Sequence, residues 1–192
     1  MRAITTILVL QICFFSYGQQ ETPTLYNYSY RDKFQVIDSF FKLEKEYDFR
    51  LEMQSVSFRK SGQEFFVLSS KNNKWSARLF IQILKDSGTA WKEYPCISSP
   101  KALYDSLMAY NFLGLRSQED IQDTIVAKSD FGVLDGATYH FNIVSQDRSS
   151  VITYHCPKTW SKEFPNVQEF SRVISLLRLI YLSFGFTNAI KC

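Results

Sequence analysis

The feature that most constrains this chain is a change of rhythm along it. In the middle segments apolar side chains recur every second residue, and toward the C-terminal end they recur about every 3.6 residues. Phe49, Leu51 and Met53 alternate with Arg50, Glu52 and Gln54. Successive strand residues point to opposite sides, so this alternation predicts a strand with one apolar face.

A hairpin follows. Glu64 to Ser70 and Trp75 to Leu84 flank the polar run Lys71-Asn72-Asn73-Lys74. A turn centred on Asn72-Asn73 places Phe66, Leu68, Trp75, Ala77, Leu79 and Ile81 on one face. The other face carries Phe65, Val67, Ser69, Ser76, Arg78, Phe80 and Gln82, a mixed set. A second hairpin is expected after Asp135-Gly136, with arms at Ala137 to Ser145 and Val151 to Cys156. Centring its turn on Asp147-Arg148 puts Tyr139, Phe141, Ile143, Ile152, Tyr154 and Cys156 on one apolar face. In that register His140 and His155 are directly opposed on the other face, with Cβ atoms about 5 Å apart.

Helical rhythm brackets the strands. A helix is expected over about 32–46, with Ser29 placed to cap it. Ser98-Ser99-Pro100 opens another, which directs Leu103, Leu107 and Met108 inward and ends before Gly114. Ser117 with Asp120 marks a short helical turn. From about Pro165 to Phe184 two apolar stripes run together, Val167, Phe170, Ile174, Leu177 and Tyr181 beside Val173, Leu176 and Ile180. A helix so apolar belongs in a core. Glu169, Arg172 and Arg178 interrupt it and argue against a membrane span. Hairpin-linked strands with flanking helices define an α+β fold, a mainly antiparallel sheet of about five strands with helices on one face.

The amino terminus has the layout of a secretory signal peptide: Met1-Arg2, an apolar stretch to Phe15, then Ser16-Tyr17-Gly18. Cleavage near Gly18 leaves 19–192 as a single α+β domain, periplasmic or extracellular, with no transmembrane span. Cys13 falls in the discarded leader. Tyr26, Tyr28 and Tyr30 alternate in an extended arm, and Asn27-Tyr28-Ser29 matches a glycosylation sequon. The 45% apolar and 21% charged fractions are those of a globular chain, and a formal charge of +3 without any Lys/Arg-rich run gives no reason to expect nucleic acid.

Of the remaining cysteines, Cys96, Cys156 and Cys192, any two could pair in an oxidising compartment. The expected bond joins Cys96 to Cys156 or to Cys192. The alternative for Cys156 is a small buried side chain.

His140 and His155 are the only histidines. So placed, they are the candidates for a metal site or an acid/base pair. No cysteine or carboxylate at ligand spacing completes a zinc set, and a half-exposed polar sheet face is the competing account. Asp130-Phe131-Gly132 lacks the glycine-rich loop and catalytic loop that give that tripeptide meaning in kinases. Trp91 and Trp160, with Tyr94 and Phe164 nearby, are read as loop aromatics that either bind a partner or fill the gap between helix and sheet. No cofactor is implied.

The run Asp135-Gly136-Ala137-Thr138-Tyr139-His140-Phe141, the strand end Tyr154-x-x-Pro157, and Phe164-Pro165-Asn166-Val167 before an apolar helix resemble small exported proteins of unassigned function from Bacteroidetes-type bacteria. The resemblance covers about the last third of the chain. It implies a hairpin followed by a packed helix, and no activity. The expectation for function is therefore a non-catalytic binding or interaction domain, meeting a protein or envelope component through the sheet face that helices leave uncovered. The alternative is a metal-dependent or hydrolytic enzyme built on His140 and His155.

Overall fold

The structure, a computed structural model, describes residues 38–57, 62–85, 88–125, 132–133 and 135–192. The leader and its cleavage point, Cys13, the tyrosine arm, the sequon at Asn27, the cap at Ser29 and the start of the first helix lie outside these residues, as do Asp130 and Phe131.

Six strands form one antiparallel sheet: β1 (Phe49–Ser57), β2 (Glu64–Lys71), β3 (Lys74–Lys85), β4 (Gly88–Pro95), β5 (Ala137–Ser145) and β6 (Ser149–His155). Their spatial order is β4-β3-β2-β1-β5-β6. The helices are α1 (Pro100–Ala109), α2 (Gln118–Ile125), α3 (Pro157–Glu163) and α4 (Gln168–Leu182). The fold is α+β, with one strand more than the alternation shows. The strand added is β4, where only half-buried and exposed residues pack and the alternation is correspondingly faint.

The first hairpin has the expected register, Phe66 opposite Leu79 and Lys71 opposite Lys74. Asn72 and Asn73 both adopt left-handed backbone, φ 49° and 60°, which closes a two-residue turn matched to strand twist. The strand β1 joins this hairpin to the second one, pairing with β2 on one side and β5 on the other. On the inner face Leu51, Met53, Phe66, Leu68, Leu79, Tyr139, Phe141, Ile143 and Tyr154 are buried. Phe170, Val173, Leu176, Leu177, Ile180 and Tyr181 of α4 close over them, with Leu103 and Leu107 of α1 alongside. Each such side chain contributes about 1.5–3 kcal/mol when taken out of water. Ser99 caps α1 by accepting from the Ala102 N–H, and Pro100 occupies its first turn.

Two helical expectations change. Among the described residues the first helix is present at 38–41 and stops at Lys42, whose φ is 51°, short of Glu46. Its Phe41 covers the other side of the sheet, where Phe65, Val67 and Phe80 form a second buried cluster. That side of β1–β3 is thus covered around Phe65, Val67 and Phe80, while Ser76 on the same face stays exposed. The loop after β6 holds the additional helix α3, which starts at Pro157.

The disulfide joins Cys156 to Cys192, with Cα atoms 5.1 Å apart, and Cys96 is a free thiol beside the Ser98 carbonyl oxygen. The expected pairing of Cys96 fails on position. Cys96 follows β4 at one end of the sheet, whereas Cys156 follows β6 at the other. Gly136 sits under the two sulfurs with φ 141°, and a Cβ there would lie 2.0 Å from Cys156 Sγ and 2.4 Å from Cys192 Sγ. Residues 184–192 are held by more than the bond. The Lys191 N–H donates to Tyr139 Oη at 3.0 Å, and Lys191 Nζ lies 2.8 Å from the buried Glu64 carboxylate, which also accepts from Tyr181 Oη. Burial holds the Tyr139 phenol up at about 12 and pushes Tyr181 well above its ordinary value, so both stay protonated hydrogen-bonding groups. Among the described residues no helix is long and apolar enough to cross a membrane.

Alkylation of the native oxidised protein, read by mass spectrometry, should modify Cys96 alone among the three. Cys192→Ala should lower unfolding free energy by roughly 2–4 kcal/mol, as expected for a bond closing a loop of this kind. An unchanged denaturant midpoint would contradict the pairing.

Candidate functional site

The two histidines share the outer face of β5–β6 but are not opposed. Thr138 pairs with His155 and His140 pairs with Thr153, a register two residues from the expected one. The turn closes between Ser145 and Arg148, where the Ser145 N–H donates to the Arg148 carbonyl at 2.8 Å. His140 and His155 become diagonal neighbours, a relation that typically separates Cα atoms by about 7–8 Å. Each shares a hydrogen bond with the threonine across from it, His140 Nδ1 with Thr153 Oγ1 at 3.0 Å and His155 Nδ1 with Thr138 Oγ1 at 2.9 Å. Among the described residues no three His, Cys, Asp or Glu side chains cluster as a metal site. The arrangement fits cross-strand bonding on a half-buried surface.

Next to the histidines on β1 lies a buried charge network. Arg50, 2% exposed, contacts both Asp38 and Glu52, and Asn142 donates to Glu52 Oε2 at 3.1 Å. Desolvation raises the Glu52 carboxyl above its usual 4.5 and outweighs the pull of Arg50. Within this row Glu52 faces the Arg50 charge and the Asn142 amide, not a free cavity. It reads as an internal tie between β1 and β5.

The aromatic candidates are also placed. Trp160 lies on α3 rather than in a loop and is 2% exposed, stacked between Phe164 at 5.5 Å and Phe170 at 5.8 Å. Trp91 lies on β4 with its ring edge-on to Phe41 at 5.1 Å, and Tyr94 on the same strand meets Phe186. Both tryptophans are engaged in packing between layers.

A different site emerges where α3, α4 and residues 187–190 meet. A cavity of about 320 Å³ is lined by Lys158, Ser161, Lys162, Ile174, Arg178, Thr187, Asn188 and Ile190. Lys158 and Lys162 sit one helical turn apart on α3, and Arg178 faces them from α4. No carboxylate lines the space, and none of the three cations has an ion pair among the described residues. Like charges at that spacing cost a helix about 0.2–0.5 kcal/mol, so the arrangement is not one that stability favours. Elsewhere on α4, Glu169 pairs with Arg116 and Arg172 donates to the Asn111 carbonyl at 2.8 Å, while Glu163, next to Lys162 in sequence, is exposed and lies outside the lining. Sequence reading missed this groove. Its only visible trace is Pro157, a helix-start residue, followed by lysines four apart.

No family model matches the chain, and no curated protein matches it either.

Two measurements check this geometry. Titration of Zn²⁺ by calorimetry should give the same heats for the wild type and for the His140→Ala/His155→Ala double variant; an excess in the wild type would restore the metal site. For Glu52, a folded pKa above the unfolded one means its contribution is greatest below the ordinary carboxylate range and is lost as pH rises through the folded value. The stability of wild type relative to Glu52→Gln should therefore fall in urea melts as pH rises from the ordinary carboxylate range toward neutrality. A rise over the same interval would mean that Arg50 dominates.

Proposed function

We propose that this chain is an exported, non-catalytic binding domain that recognises a protein or envelope component outside the cytoplasm. The observation that carries this reading is the cationic groove: charge gathered around a cavity with no histidine or carboxylate to act as a base. Ser161 and Thr187 line it, but a hydroxyl needs an adjacent base to become a nucleophile. Exposed cations gathered around a cavity suit recognition of an anionic group. The histidines, the other candidates for chemistry, are engaged with threonine hydroxyls. Export is supported by the leader-like N-terminus and by a cysteine pair of the sort that persists in oxidising compartments.

Photo-crosslinking in the native envelope from a photoreactive residue placed at Asn188 should capture a partner, with capture lost when the Lys158→Gln/Lys162→Gln changes are added. Hydrolytic turnover that disappears in the His140→Ala/His155→Ala variant would overturn the reading in favour of an enzyme.

A further inference from the structure

We propose that the groove between α3, α4 and residues 187–190 binds a phosphate monoester. This rests on the binding reading above and names its surface and ligand chemistry. Three cations surround the cavity, more than one carboxylate neutralises. A phosphate monoester carries about −1.5 to −2 at pH 7, a closer match. Arg178 brings a planar donor fork suited to two phosphate oxygens, while Lys158 and Lys162 act as point charges. Ser161, Thr187 and Asn188 add neutral donors on the same rim.

The floor is different in kind. Ile174 and Ile190 are half-buried carbon surface, a seat for the body of an ester rather than for bare inorganic phosphate. The volume of about 320 Å³ lies at the small end of ligand sites, which span about 300–1,000 Å³, and so fits a small ester group. Two walls are helices packed through Trp160 and Phe170. The third is pinned by the Cys156–Cys192 bond and by Lys191 on Tyr139 and Glu64. Lys191 thereby has its counter-charge inside the protein. The groove cations do not, and the ligand supplies it.

The ester could be free in solution or displayed as a lipid headgroup, and the test separates these. Oxidised mature protein is titrated with glycerol 3-phosphate by calorimetry, and separately with phosphatidylcholine vesicles with or without phosphatidic acid. Binding to at least one monoester probe is expected. Lys158→Gln/Lys162→Gln and Arg178→Gln should each weaken it by roughly tenfold or more, the loss of a charge-assisted hydrogen bond. All three positions are exposed, so melting temperatures should hold, and Lys158→Arg/Lys162→Arg should retain binding. Binding of glycerol 3-phosphate assigns a soluble ester; binding of phosphatidic acid vesicles alone assigns a headgroup. The proposal is overturned if neither probe binds at millimolar concentration, or if binding survives in the glutamine variants. A partner captured by crosslinking while both probes fail sinks the phosphate site and leaves the binding reading. Release of phosphate from a bound ester does the reverse.

Discussion

The structure depends on a single apolar surface, the inner face of β1, β2 and β5, and on its removal from water by α4. Within the sheet, β1 alone joins the hairpin β2–β3 to the hairpin β5–β6, so both halves depend on this shared surface. Leu51 and Met53 at that seam are fully buried, and so are Phe141 and Tyr139 beside them. Once α4 lies across these residues, its Tyr181 is delivered to Glu64 and the following segment is carried back toward β5. The groove is therefore a downstream product of the core. Its α4 wall is the solvent-facing side of the same helix whose other side does the burying.

The part of this fold legible in the sequence was the part governed by local period. Phe66, Leu68, Ala77 and Leu79 show both the strands and the register, because Asn72-Asn73 fits only one tight turn. At the second hairpin the same logic was insufficient. A register shifted by two leaves Tyr139, Phe141, Ile152 and Tyr154 on the inner face in either case, so the apolar pattern cannot choose between them. The turn chooses, and neither Gln146 nor Asp147 takes the left-handed backbone that an unambiguous turn residue would mark. Thus the histidines were placed on the correct face and given the wrong neighbours.

The remaining gaps have the same origin. Strand β4 hides because an edge strand with Lys92 and Glu93 at its centre needs no strict alternation. Helix α3 has only seven residues, too few for a period to show. The second face of β1–β3 read as mixed because Phe65, Val67 and Phe80 are separated by Ser69, Ser76 and Arg78; only Phe41 arriving from a distant segment makes them a core. The cationic groove needed three segments at once, residues 158–162, 174–178 and 187–190, and no local pattern links them. Fold follows from short-range repetition, while this site follows from long-range assembly.

Gly136 imposes an order on how this region could change over time. With both sulfurs in place, any side chain at that position collides with them, so the glycine and the two cysteines form one inherited unit. A lineage could give up the glycine only after giving up the cysteine pair, and the left-handed backbone would resist replacement even then. Divergent copies of this chain should thus fall into two populations, those keeping all three residues and those that lost the cysteines first.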